Sequence, residues 1–292
     1  MNYLIYLAHG PAELRSEALY SLLSYFRAAP VLPAQVLIYT DAPDAFRQVL
    51  GERPDVLYPS VTEAEWQAWR GSANMVYLLK IGVLEHAAAH YPGNLLFVDT
   101  DTIWQRDPTP IFEQIGQGTR FMHDNEGLLA TGNTLSRKVY RHLKGHTFRI
   151  GAYQVQVTPA TLLFNSGVIG FRSHEAALLR DVMQLAEQLY ATYHKHMMEQ
   201  LAFSMRFAVD GPVQEAKPYV VHYWNLKAVR PTLAALFARY QSASHEELLR
   251  RLDALGLPEV HRAELAYRNL AGWQRTLRKL TGRRWRMPAF EV

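Results

Sequence analysis

The sequence predicts an α/β protein with a mixed, mostly parallel central sheet flanked by helices, followed by a helical C-terminal extension. Three observations predict it. Short apolar runs alternate with amphipathic helical stretches through the first half of the chain. The run Leu95-Leu96-Phe97-Val98 is apolar on both faces, as a strand covered on both sides must be. From Pro231 onward three helical patterns follow one another with no strand between them.

The elements read in order as follows. Tyr3–Ala8 is a strand ending in His9-Gly10-Pro11, and Ala12–Phe26 is a helix with Leu14, Ala18, Leu22, Tyr25 and Phe26 on one face. Gln35–Tyr39 is a second strand closed by Thr40-Asp41, a capping signal for a short helix over Pro43–Leu50. Val56–Tyr58 is a weak third strand, and Glu63–Trp69 and Met75–His90 are helices, the second stopped by Tyr91-Pro92-Gly93. After the strand Leu95–Val98 come strands at Thr119–Met122, Leu162–Phe164 and Val168–Phe171, with a helix over Leu135–Leu143 between the first two. Glu175–Tyr193 and Met197–Arg206 are helices, and Tyr219–Tyr223 is the last strand. With no internal repeat or linker, the 292 residues divide into a catalytic domain over residues 1–230 and a basic helical extension over 231–292.

Composition narrows the chemistry. A hydrophobic content of 49% supplies a sizeable core, and the absence of cysteine excludes disulfides, thiolate metal sites and thiol nucleophiles. Any metal must therefore sit on oxygen or imidazole. The net charge of +4 is concentrated at one end: between Arg262 and Arg286 eight cations face one carboxylate, a local charge of +7. That segment carries no nucleic-acid motif, so no nucleic-acid partner is expected. Tyr3–Ala8 lacks the flanks of a signal peptide and no run is long enough to span a membrane, so a soluble cytoplasmic protein is expected.

The sharpest local signal is Asp99-Thr100-Asp101, two carboxylates one residue apart at the C-terminal end of the doubly covered strand. Open α/β sheets bind ligands there. Burying two ionised acids without a cation is costly, and a hard divalent ion, magnesium or manganese, relieves that cost. The plain alternative is that both acids cap the following turn. Two phosphate chemistries use such a pair: a haloacid-dehalogenase-type phosphatase, in which the first acid attacks phosphorus, and a nucleotide-sugar enzyme, in which the acids hold a metal on the diphosphate. The phosphatase needs a later acidic pair, and downstream only isolated aspartates occur: Asp107, Asp124, Asp181, Asp210 and Asp253.

Four segments in order, Ile38-Tyr39-Thr40-Asp41, Leu96-Phe97-Val98-Asp99-Thr100-Asp101, Phe164-Asn165-Ser166-Gly167-Val168-Ile169-Gly170-Phe171 and Val221-His222-Tyr223-Trp224-Asn225, make the chain resemble the GT-A glycosyltransferases, in particular the family-8-like nucleotide-diphospho-sugar transferases. The resemblance covers residues 3 to about 227. It implies a GT-A-like fold, manganese or magnesium as cofactor, a UDP-hexose donor, a saccharide or lipid-linked acceptor and retention of anomeric configuration. By that resemblance Asp99, Asp101 and His222 hold the metal, and Asp99 also faces the ribose. Asn165, Ser166 and Gly167 line the donor sugar, while Lys80 and Lys227 offer cations to the nucleotide. Ala8 and His9 cradle the base and Asp41 accepts from base or ribose. Glu199 approaches the anomeric centre or the acceptor hydroxyl. Separately, Asp124, in Met122-His123-Asp124-Asn125 at the end of a strand candidate, is a second candidate acid.

Each assignment has a plainer competitor. His222 alone would read as a packing residue, Asn165 as a turn residue in a β-bulge, Lys80 as a solvated lysine, Asp41 as a helix cap, and Glu199 as a helix N-terminal acid favoured by the macrodipole. The family's Lys-Pro-Trp element is absent after Lys227. A catalytically inactive nucleotide-sugar-binding protein is a third functional class. Leu270, Trp273, Leu277 and Leu280 recur at helical spacing among Arg268, Arg275, Arg278 and Lys279. The first expectation is a helix packed on the catalytic domain; the second is peripheral attachment to the inner face of a membrane.

Overall fold

The structure, a computed structural model, describes residues 1–71 and 74–290. Its first half runs β1 (Asn2–Leu7), α1 (Ala12–Ala28), β2 (Gln35–Tyr39), α2 (Pro43–Leu50), β3 (Val56–Leu57), α3 (Glu63–Ala68), α4 (Leu79–His90), β4 (Asn94–Val98), β5 (Thr102–Trp104), α5 (Thr109–Gly116) and β6 (Arg120–Met122). It continues through β7 (Asn125–Leu128), α6 (Thr134–Leu143), β8 (Thr147–Ile150), β9 (Tyr153–Gln156), β10 (Leu162–Phe164), β11 (Val168–Arg172), α7 (Ala177–Thr192), α8 (Met198–Phe207), β12 (Val213–Glu215) and β13 (Val220–His222). Four helices close the chain: α9 (Arg230–Arg239), α10 (His245–Asp253), α11 (Leu257–Arg268) and α12 (Gly272–Leu280).

Seven strands form the central sheet in the order β12-β6-β11-β4-β1-β2-β3. The pairs β1–β2, β2–β3, β1–β4 and β6–β12 are parallel, whereas β11 runs antiparallel to both β4 and β6. The sheet is thus mixed and mostly parallel, as the alternating pattern predicts. Two apolar clusters cover its faces, one built on α1 and α5, the other on α4, α7 and α8. Because β4 is covered on both sides, Leu95, Leu96, Phe97 and Val98 are all buried, which accounts for its unbroken apolar run.

Two expected strands lie outside this sheet. The segment expected at Leu162–Phe164 pairs with β7, and the last strand pairs antiparallel with β5, setting His222 opposite Thr102. Strands β5, β7 and β12, the hairpin β8–β9 and helix α5 carry too few residues or too little apolar patterning to read as elements in the sequence. The helix expected from Met75 begins with a short 3-10 turn over Val76–Leu78. Gly82, inside α4, has a physical reason: a methyl group there would overlap the Trp69 indole.

Helices α9 and α10 pack on α1, contributing Leu233, Leu236, Leu248 and Leu252 to the cluster that covers one face of the sheet. Helix α12 is different. The expectation that it packs on the catalytic domain is corrected: none of its residues is buried, and Trp273, Leu277 and Leu280 are 69%, 53% and 79% exposed. Its neighbours along the stripe are Arg and Lys, so no apolar face of the body meets it. Among the described residues no helix is long and apolar enough to cross a membrane.

Candidate functional site

Three strand ends converge at one edge of the sheet. The Asp99 N–H donates to the Gly167 carbonyl at 2.8 Å, joining the end of β4 to the start of β11, and the Tyr223 N–H donates to the Asp101 carbonyl at 2.9 Å, joining the acid loop to the end of β13. The Thr102 hydroxyl turns back to the Asp99 carbonyl at 2.8 Å and tightens the loop between the two acids. Asp99, Asp101 and His222, remote in sequence, thereby offer ligand atoms within 4.8 Å of one another.

His222 Nε2 lies 3.0 Å from Asp101 Oδ1 and 3.7 Å from Asp99 Oδ2. Its other nitrogen, Nδ1, sits 2.9 Å from Asn165 Oδ1, an atom that also accepts from the Gly167 N–H at 2.9 Å. The Asn165 amide nitrogen donates to Glu126 Oε1 at 3.1 Å, so its oxygen must face His222. His222 therefore donates through Nδ1 and turns Nε2 to the carboxylates. This arrangement fixes ring orientation and tautomer in metal-binding histidines. Gly167 completes the fit, because a methyl group there would overlap the imidazole. Asn165 is both the turn residue and the partner of His222, so its two readings merge.

Lys80, in the first turn of α4, is not the solvated lysine of the plainer reading. Its ammonium lies 3.1 Å from Asp99 Oδ1, 2.9 Å from the Ser166 carbonyl and 3.7 Å from Glu199 Oε1, and the side chain is 12% exposed. Burial opposes its charge, but Asp99 and Glu199 outweigh that and raise its pKa. Glu199 is buried, accepts from the Ser166 hydroxyl at 3.1 Å through Oε2, and has no hydrogen bond to Oε1. Burial raises its pKa despite Lys80. Glu199 lies in the first turn of α8, as the macrodipole reading has it, and its burial against Ser166 and Lys80 goes beyond that reading.

The electrostatics of the ligand set follow the same logic. Burial works against ionisation of Asp101, yet His222 beside it holds the carboxyl below the usual range; burial works against the His222 charge, yet Asp101 raises its pKa. Each group favours the charged form of the other, so a cation entering the site would compete with the imidazole proton. His123 stands edge-on to His222 with ring centroids 5.3 Å apart, and burial lowers its pKa to about 3, so it forms a neutral wall.

The remaining predicted residues ring this core. Ala8 is buried at the end of β1, and His9 stacks on Trp66 at 4.1 Å between centroids. Asp41 does not cap α2, whose N-cap Ala42 makes no side-chain bond; its carboxylate accepts from the Gly10 N–H at 3.2 Å and faces Arg15 at 3.7 Å. Asp124 pairs with Lys217 at 2.8 Å, while its carbonyl accepts from the Asn165 N–H at 2.8 Å. Lys227 is exposed on a 3-10 turn after β13.

Two contributors were not legible in the sequence. Glu126 holds Asn165 and accepts from Gln200 at 3.3 Å. Glu17, on α1, lies under the acid loop, accepting from Arg230 Nε at 3.0 Å and from the Thr100 hydroxyl at 3.4 Å. Neither stands beside a motif that marks it.

The donor set of two carboxylates, an oriented imidazole and no thiol fits a hard divalent ion, manganese or magnesium. Fold and site together define a mixed α/β protein with a carboxylate–histidine cation site at the edge of its sheet. No protein-family model and no curated protein matches the chain. Solved structures that it resembles include galactosyltransferase LgtC in complex with donor and acceptor sugar analogs, at 12% identity over 69% of each chain and a TM-score of 0.46. Mouse xyloside xylosyltransferase 1 in its apo form is similar over 80% of this chain and 92% of its own, at 15% identity and a TM-score of 0.47. The apo form of the glycosyltransferase GlyE from Streptococcus pneumoniae is similar over 87% of this chain and 63% of its own, at 13% identity and a TM-score of 0.47.

Proposed function

We propose that the chain is a metal-dependent glycosyltransferase that moves a hexose from a UDP-sugar to a saccharide or lipid-linked acceptor. The observation that carries this reading is the meeting of Asp99, Asp101 and His222 at the sheet edge, with Lys80 against Asp99 and the buried Glu199 behind Ser166. A bound manganese or magnesium ion supplies charge that stabilises a departing diphosphate.

The protein's own residues do the rest. Asp99 and Asp101 hold the ion, Asn165 keeps His222 turned toward it, and Lys80 sets a second positive charge beside the diphosphate. Ala8, His9 and Asp41, at the ends of β1 and β2, take the base and ribose, with Lys227 at the rim. Ser166 and Gly167 approach the sugar. Glu199, held by the Ser166 hydroxyl and 3.7 Å from Lys80, would approach the sugar or the acceptor hydroxyl, and Asp124, whose carbonyl accepts from the Asn165 N–H, is the second acid. Retention of configuration is implied by the resemblance and requires no covalent intermediate, because an acceptor held on the leaving-group side can be guided by the departing phosphate.

Helix α12 supports peripheral attachment as the second expectation has it, with an exposed Trp-Leu-Leu face among cations and each basic residue near an anionic surface worth about 1 kcal/mol. The reaction is tested by incubating the protein with UDP-hexoses and manganese, with and without chelator, and measuring released UDP. Metal-dependent release supports the proposal. UDP-sugar binding without turnover toward any saccharide points instead to the inactive binding protein, and hydrolysis of phosphomonoesters to the phosphatase.

A further inference from the structure

A cavity outside the cation site lies between α11 and the tail that follows α12. Its volume is about 620 Å³, and Tyr267, Arg268, Arg284, Trp285 and Arg286 line it. The tail is anchored: Trp285, Met287 and Phe290 pack on the cluster that covers the α1 face of the sheet. That anchoring makes the cavity a feature of the fold.

Its walls are cationic and aromatic. Glu264, the one acid in the lining, is already engaged, accepting from Arg268 at 2.6 Å and from the Asn225 amide at 2.6 Å. Arg284 and Arg286 have no salt bridge among the described residues, so the lining keeps two uncompensated guanidinium groups. Trp285 and Tyr267 add flat apolar faces.

The cavity is also tied to the cation site. Asn225 accepts from or donates to two α11 side chains, His261 and Glu264, and Arg268 covers the half-exposed Trp224 ring at 5.6 Å. Trp224 and Asn225 follow His222 by two and three residues, so their Cα atoms lie within about 11 Å of it.

We infer that this cavity is an acceptor subsite for a saccharide that carries a phosphate or carboxylate group. Paired guanidinium forks select such an anion by two parallel hydrogen bonds, aromatic faces take the apolar face of a sugar ring, and the volume falls in the range of small-ligand sites. The inference rests on the transferase reading, which makes a second sugar necessary. A free sugar phosphate and the headgroup of a lipid-linked one present the same anionic chemistry to these groups.

Calorimetry on the full chain tests it, with glucose 6-phosphate, glucuronic acid, methyl glucoside and inorganic phosphate as probes and with anionic vesicles as a separate arm. The expected result is at least tenfold tighter binding of the two anionic sugars than of methyl glucoside, lost tenfold or more in the double variant Arg284→Gln/Arg286→Gln. Both arginines are exposed, so that variant should fold, and unchanged melting confirms that it does. Inorganic phosphate bound as tightly as glucose 6-phosphate, equal affinity for charged and neutral sugars, or no binding at all overturns the subsite. Vesicle binding that is lost in the double variant, without sugar binding, overturns it in favour of a lipid surface. UDP and manganese are titrated in parallel: loss of their binding with sugar binding intact removes the transferase reading and leaves the cavity's selectivity standing.

Discussion

Two clusters of buried charge lie on this sheet, and they differ in balance. Beside β6, Arg120, Arg172 and Arg206 meet Glu175, Asp181 and Asp210, three cations against three carboxylates, in pairs as short as 2.8 Å. At the end of β4, Asp99, Asp101 and Glu199 face Lys80 and His222, with Arg230, itself paired to Glu17, also drawing on Asp101, and Glu199 keeps an oxygen with no hydrogen bond. The first cluster balances its charges one for one and holds α7, α8 and β6 together, although Arg120 Nε has no hydrogen-bond partner. The second carries unspent negative charge, tolerable because a cation can enter. Charge balance thus separates a structural ion network from a candidate cation site on the same scaffold.

The largest effect should come from removing charge at each place. Asp101→Asn should weaken manganese-dependent UDP binding by about 100-fold or more with little change in melting. Arg206→Leu should leave that affinity unchanged and lower stability by about 1–3 kcal/mol, since the partners Asp181 and Asp210 are partly exposed. Calorimetry and denaturant melts on both variants break the comparison if the two effects trade places.

A smaller effect should follow from geometry alone. Gly167→Ala leaves every charge in place but displaces the His222 ring, so manganese affinity should fall about 10- to 100-fold while the Arg206 network is untouched. An unchanged metal affinity would mean that His222 contributes packing only.

The smallest effect sharpens the comparison through pH. Burial, with a contribution from Asp101, raises the Glu17 pKa from 4.5 to about 7, against the lowering pull of Arg230. The folded state holds this proton more tightly than the unfolded chain, so the stability from the group is full below pH 4.5 and is lost as pH rises toward 7. In metal-free protein, Glu17→Gln should flatten the fall in stability across that window, measured by denaturant melts at stepped pH.

The sequence by itself determined the α/β class, the order of the main strands and the acid pair, because apolar periodicity and a doubly covered strand are local signals. The alternation from β1 to β4 appears as expected, and Asp99, Asp101 and His222 come together as the family resemblance implies. Tertiary structure decided the rest. Glu126 and Glu17 act on Asn165 and Thr100 from other elements, so no neighbouring residue announces them. Lys80 is buried rather than solvated because α4 docks its first turn against the ends of β4 and β11. Asp41 bridges two strand ends instead of capping a helix, because Gly10 arrives beside it across the sheet edge. Helix α12 carries the periodicity of a packed helix and meets no core. A stripe of leucines specifies a face that can be buried, but only the surface opposite it decides whether burial occurs.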